Sequence, residues 1–425
     1  MKTRNWLAGM AAMALLVTAC GGDGGDDTDN GDGAAGDGSP QTLTVWIMEP
    51  GNDEVERIVR ESATSFEEAN DGVTIELEFV PWGNAHDQFV TAVGGGQVPD
   101  VAEMGTTWTA EFAELGLAPV EADADADYVA SLVEAGTVDG TNYGYPWYAG
   151  ARAFIYRTDV FEDLGLEVPE TWEDLIAAGE TIEAETDMAP FHVAGNHNHL
   201  LLPMIWQAGG EIATEDGDSW TAGIDSAEGR EAIGFFDELW QRGWTPEGAV
   251  SWNSADVRTA FANEESAMMV GGGWDLGAIL GDNPDLEGKL GTALLPAGPS
   301  GSRDTFAGGS HLVTFADSEN QELAVRFIEH MLDPSQVTAF TEAVGFLPGT
   351  ESGVAASSAA SDPLYEAFTT QLVEHSRSYP ASPNWGAVEG DAVFSNAIQQ
   401  VMTGDLTVDE AVAQMNEQVE TTLNR

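Results

Sequence analysis

Cysteine occurs once in 425 residues, at position 20, so no disulfide can form within this chain. Lysine is almost as scarce. Lys2 and Lys289 are the whole supply, and 14 Lys and Arg face 73 Asp and Glu, for a formal charge of -59. A field of that sign repels nucleic acid and anionic ligands and opposes compaction unless salt screens it. Nucleic-acid binding is thereby excluded, and phosphorylated ligands are disfavoured unless a local arginine pocket overrules the average. Missing lysine beside an acidic excess reads as adaptation to a saline exterior; a high-GC composition bias would explain the first but not the second. After the first twenty residues no apolar run has the length of a membrane span. The short signatures of catalysis are also missing: there is no Gly-x-Ser-x-Gly elbow, Walker loop or His-Glu-x-x-His pair, and Gly271-Gly272-Gly273 lacks dinucleotide-binding spacing. His197-Asn198-His199 has no cysteine partner and no second histidine cluster, so polar ligand contact or a plain loop outranks a metal site, and no cofactor is expected. Paired carboxylates carry no weight, because any pair can be found among 73 acids.

What is present at the start is an export signal. Lys2 and Arg4 precede an apolar stretch from Trp6 to Val17, too short for a spanning helix. The run Leu15-Leu16-Val17-Thr18-Ala19-Cys20 resembles the lipobox of bacterial lipoproteins, which implies cleavage after residue 19 and lipidation of Cys20. The alternative is a plain cleaved leader with a spare thiol, a liability in an oxidising compartment. Residues 20–41 are dominated by Gly, Asp, Asn, Ala and Thr and have almost nothing to bury, so they read as a self-repelling, lipid-anchored linker. The expected location is the extracellular face of the cell membrane, with the lipid as sole anchor.

The chain is 43% apolar, ample for a core, and too long for one typical domain, so two lobes are expected. Leu43 to Ile47 reads as a buried strand. Val55, Ile58, Val59 and Phe66 follow at helical spacing after Asn52 and Asp53 as capping candidates, and then Ile75, Leu77 and Phe79 alternate with Thr74, Glu76 and Glu78. That order, strand, helix, strand, begins an α/β unit. Thr171 with Asp174 and Thr407 with Glu410 fit capping boxes, and Val408, Val412, Met415, Val419 and Leu423 mark one face of a terminal helix.

Thirteen Trp against seven Tyr is an unusual balance. Trp82, Trp108, Trp147, Trp252, Trp274 and Trp385 sit beside Gly or Pro, or at loop-like positions, where an indole can present a flat face to a ligand. Core packing is the competing reading at each position taken singly. Together they favour a carbohydrate site, since flat apolar faces suit the C–H surfaces of pyranose rings.

Tyr143-Gly144-Tyr145-Pro146-Trp147-Tyr148, Ile155-Tyr156-Arg157-Thr158-Asp159 and Pro169-Glu170-Thr171-Trp172-Glu173-Asp174-Leu175 strongly resemble the extracellular solute-binding proteins of bacterial ABC sugar importers, in the maltose-binding-like group. Pro99-Asp100-Val101, Gly272-Gly273-Trp274, Phe306-Ala307-Gly308-Gly309 and Gly404-Asp405-Leu406-Thr407 extend the likeness from Leu43 to the C-terminus. The resemblance implies a periplasmic-binding-protein-like (type II) α/β fold, with two lobes joined by hinge strands and a ligand cleft between them. Residues 42–149 and 296–349 would form the N-lobe, and residues 150–295 and 350–425 the C-lobe. Cleft residues would be Glu49, Trp82, Thr107, Trp108, Trp147, Tyr148, Arg152, His197, His199, Trp274 and Trp385, the last two as stacking platforms. Thr106-Thr107-Trp108 and Gly150 stand where maltose binders carry charged side chains, a departure from that ligand. The implied partners are a mono- or oligosaccharide and the permease and ATPase subunits of the importer. The implied state is a monomer and no bond is made or broken. A binder of polyamine or glycerophosphodiester, a surface glycosidase and an adhesive lipoprotein are the competing readings.

Overall fold

The structure, a computed structural model, describes residues 40–50, 53–120, 126–217 and 219–425. The leader, Cys20, nearly all of the linker and Asn52 lie outside the described residues.

Leu43, Val45 and Ile47 have no exposed surface to speak of, because the strand Gln41–Met48 is flanked on both sides by parallel neighbours, Val73–Val80 and Val101–Gly105. Val73–Val80 is the sheet edge, and its Thr74, Glu76 and Glu78 turn outward while Ile75, Leu77 and Phe79 turn in. Three antiparallel strands complete this six-stranded sheet: Gly308–Thr314 on Val101–Gly105, then Tyr145–Gly150, then the short Leu347–Pro348. The helix Asp53–Ala69 buries Val55, Val59, Ala63 and Phe66. Phe66 meets Phe327 of the helix Gln321–Met331 edge-on at 5.2 Å. Each such buried ring contributes roughly 1.5–3 kcal/mol relative to exposure.

The second sheet runs Leu290–Ala293, Arg152–Arg157, Ser266–Gly272, Ala189–Phe191. Ser266–Gly272 is buried along its whole length, as its near-continuous small and apolar run requires. Around it pack helices Trp172–Glu185 and Val408–Leu423, both opened by reciprocal capping boxes, Thr171 with Asp174 and Thr407 with Glu410. The terminal helix buries Val412, Met415, Val419 and Leu423 in the core of this half.

The chain crosses between the sheets three times: through Ala151, between Ala293 and Gly308, and after Pro348. Small residues line the seam. Ala149, Ala151, Ala153 and Ala307 pack with Leu347 and Phe368, and Gly309 lies so close to the Tyr148 carbonyl that a side chain there has no room. The second crossing corrects the boundary expected at residue 296. Ala297 N donates to the Glu170 carbonyl at 2.8 Å, Trp172 N to the Ala297 carbonyl at 3.1 Å, and Thr305–Phe306 pairs with Ser376–Arg377. Pro296-Ala297-Gly298-Pro299 has no alternating pattern with which to join a sheet, and Phe306 packs on His199 and Tyr379 of the second half. The first half resumes only at Gly308.

Candidate ligand-binding cleft

Strands Gln41–Met48, Val73–Val80 and Val101–Gly105 are parallel, so their C-terminal ends share one edge of the first sheet. Open α/β sheets present ligand-binding loops there. Glu49 is exposed at this edge, its N–H donating to the Val80 carbonyl at 2.8 Å. Trp82 opens the helix Trp82–Gly95 and is 43% exposed. Its ring centre lies 5.7 Å from that of Trp108, which meets His86 edge-on at 5.5 Å. Gly105 lies beneath the pair: a Cβ there would stand 3.4 Å from Trp82. His86 Nε2 is 2.9 Å from Glu111. The result is an aromatic shelf beside a histidine–glutamate pair.

Facing contributions come from the crossing and the second sheet. Arg152, 9% exposed, lies over Trp274 at 5.3 Å and makes no hydrogen bond or ion pair among the described residues. Burial lowers its pKa, against the opposing pull of Tyr379 and Asp275. Asp275 is engaged elsewhere: its carboxylate accepts from Gly272 N at 2.8 Å and faces Arg258 at 3.6 Å. Trp274 is wedged at the hinge, 5.0 Å from Phe346, where a Cβ on Gly150 or Gly272 would overlap its ring. The unexpected glycine at the crossover thus makes room for an indole.

His197 precedes the helix Asn198–Gln207 and is 3% exposed, with both ring nitrogens unpartnered. Burial, aided by the charge of Arg152, pulls its pKa down to about 3, so it stays neutral. His199 stacks on Phe306 at 4.9 Å, and its Nδ1 lies 2.8 Å from the Tyr379 hydroxyl. Its pKa too is lowered, first by burial, then by Arg152 and His197.

The halves touch at the helix Trp385–Gly390. The Glu111 carboxylate leaves no space for a side chain at Gly386. Burial pushes Glu389 up to about 7, while the side chains of Trp385 and Thr107 and the charge of His86 pull it down and Glu111 pushes it further up. Trp385 Nε1 points toward Glu389 without reaching hydrogen-bond geometry and has no other acceptor.

Three expected cleft residues sit differently. Trp147 is 1% exposed and stacks on Phe340 at 4.3 Å in the first core. Its flanking Pro146 imitates a loop, yet its strand runs between Gly308–Thr314 and Leu347–Pro348, so the ring is covered. Trp385, also 1% exposed, packs on Tyr379 and Phe394, so its ring has no open stacking face and its Nε1 is buried as well. Tyr148 is buried and donates its hydroxyl to Glu103 Oε1 at 2.5 Å. Ser310 Oγ donates to the same oxygen at 2.8 Å and Met48 N to Oε2 at 2.8 Å. Burial nevertheless pushes Glu103 up to about 7. Tyr148→Phe removes one of the three donors to a buried carboxylate, so an unfolding midpoint in urea should fall by the equivalent of about 1.5–3 kcal/mol with ligand affinity unchanged. A loss of affinity with stability intact would return Tyr148 to the cleft.

Sequence reasoning passed over Tyr379, Phe306, Glu389 and Phe346. The only local signal was the Pro-rich turn Tyr379-Pro380-Ala381-Ser382-Pro383, which holds Tyr379 beside Trp385.

Two α/β halves crossed three times, with aromatic rings and unpartnered polar groups where they meet, define a two-lobed solute receptor of the type II periplasmic-binding-protein-like fold. Residues 42–338 match the family model for bacterial extracellular solute-binding proteins, and the chain belongs to that family. The diacetylchitobiose binding protein DasA of Streptomyces coelicolor is 28% identical over 418 residues, covering 95% of this chain and 94% of that protein. The sugar-binding protein MalE of Xanthomonas citri has a TM-score of 0.79 at 29% identity, covering 90% of this chain and 97% of that one. An ABC transporter solute-binding protein of Thermotoga lettingae, bound with α-D-tagatose, has a TM-score of 0.75 at 28% identity over 90% of this chain and 100% of that one.

Proposed function

We propose that this chain is the external receptor of an ABC importer, capturing a mono- or oligosaccharide between its lobes and presenting it to a permease driven by an ATPase. One observation carries the reading: the His197 ring, buried with both nitrogens unpartnered, and Arg152, which makes no hydrogen bond or ion pair among the described residues and lies over the half-buried Trp274, stand together at the junction of the halves. A buried polar group left unpaired costs about 1–3 kcal/mol, which a ligand rich in hydroxyls offsets on binding. Contacts from both halves exist only when the halves approach, so the ligand shifts the population toward the approached state. An unpaired arginine disfavours a polyamine, and a carbohydrate binder among binding-protein relatives requires no hydrolysis. Lipidation at Cys20 would hold a monomeric receptor at the outer face of the cell membrane; no helix among the described residues is long and apolar enough to cross one.

A thermal-shift screen of mono- and oligosaccharides in high salt tests this. A ligand at a hundredfold excess over its Kd should add about 2.7 kcal/mol to stability and raise the melting temperature. If the whole panel leaves the melting temperature unmoved, the saccharide reading fails.

A further inference from the structure

Within a chain of formal charge -59, one arginine at the junction of the halves is bonded to no carboxylate. Arg152 and Arg258 face a single carboxylate, Asp275, and that carboxylate is already engaged by Gly272 N and Arg258. The Arg152 guanidinium makes no hydrogen bond or ion pair among the described residues and lies over the Trp274 ring at 5.3 Å. Beside it the His197 imidazole has one donor and one acceptor nitrogen free. A neutral sugar hydroxyl satisfies one such donor. A carboxylate satisfies two in parallel and also neutralises the buried charge, and the planar guanidinium fits it in a forked geometry.

Building on the saccharide reading of this cleft, we propose that the ligand is a sugar acid, a hexuronate or an oligosaccharide with a uronate residue, whose carboxylate pairs with Arg152 while His197 takes a neighbouring hydroxyl. A phosphate offers related chemistry, but it carries up to two charges and three acceptor oxygens to one unpaired arginine, with Glu111 and Glu389 where the lobes meet. The monovalent, planar group is the better match.

The test is calorimetry on the full mature chain with galacturonic acid and digalacturonate, the uncharged galactose and galactobiose, and glycerophosphocholine as the phosphate source. The acids should bind about ten- to a hundredfold tighter than their neutral counterparts. Arg152→Gln should erase that preference, and Arg152→Lys, which keeps the charge but not the fork, should retain part of it. Circular dichroism melts of each variant establish that it is folded, and the wild-type preference stands as a readout even if one is not. Neutral sugars binding as well as or better than the acids would overturn the sugar-acid assignment and leave the saccharide reading standing. Binding of glycerophosphocholine alone would overturn both, as would a panel in which nothing binds.

Discussion

Ligand affinity should fall about tenfold or more between pH 5 and pH 8, and in Glu389→Gln it should change less than twofold. The cause is the contact between the halves. Where they touch, Glu389 is half-buried beside Trp385, Thr107, His86 and Glu111, with Tyr379 nearby, and its pKa stands at about 7 against an ordinary 4.5. When the halves part, water reaches the carboxyl and its pKa returns toward the ordinary value. A group with a higher pKa in the approached state binds a proton as the halves come together, so protonation favours approach. That favour is complete below about 4.5, diminishes as pH rises, and is gone above about 7. Each unit of difference corresponds to about 1.4 kcal/mol, so tenfold needs less than half of the available shift. Glutamine mimics the protonated acid at every pH. Glu111→Gln should move the fall to lower pH, because Glu111 raises Glu389. Calorimetry from pH 5 to 8 reads both; an unchanged profile in Glu389→Gln would assign the dependence to another group.

Gly150→Val should abolish ligand binding within the calorimetric range, a loss of at least a hundredfold. The new side chain overlaps Trp274 and crowds Phe346 at 3.0 Å, so the indole cannot keep its place at the hinge, nor Arg152 its support. Trp274→Ala alone should weaken binding by roughly one to three powers of ten, since a ring and the platform for Arg152 are both lost. The double variant should recover the stability lost in Gly150→Val without recovering affinity, because removing the indole relieves the clash; such pairs in direct contact are strongly non-additive. Gly234→Ala, in the middle of the helix Ala227–Gln241 with open space where its Cβ would stand, is the control and should stabilise by up to about 1 kcal/mol. Full affinity in Gly150→Val would mean that Trp274 has another resting place and no part in the cleft.

The first α/β unit was legible because period-two and period-3.6 patterns each bury one face: Ile75, Leu77 and Phe79 turn in from an edge strand, and Val55, Val59 and Phe66 from its helix. The capping boxes at Thr171 and Thr407 were legible because both partners lie three residues apart. Tryptophan was ambiguous for a definite reason. Glycine or proline beside an indole marks an element end, as at Trp82, but also a tightly covered strand, as at Trp147, and neighbours in sequence do not tell which. Glu389 and Tyr379 escaped because their surroundings are assembled from both halves, including Thr107, His86 and Arg152, far away along the chain. The resemblance placed Arg152 in the cleft, but its lack of a hydrogen-bond or ion-pair partner was not legible, since a total of -59 says nothing about the surroundings of one guanidinium.

The strand Gly308–Thr314 lies between Val101–Gly105 and Tyr145–Gly150. During synthesis, therefore, the earlier half waits with two bare edges until the ribosome has emitted the entire later sheet. Non-local pairing of this kind is slow to nucleate, so the newborn polypeptide stays unfinished for longer than one built from sequential units. That delay would suit the export that the pattern of the first residues implies, because an incomplete fold threads through a secretion channel more easily than a completed one. It also means that neither half can be produced alone as a working fragment, and that a cut between Ala293 and Gly308 would break the first sheet at its middle while leaving the four-stranded sheet connected.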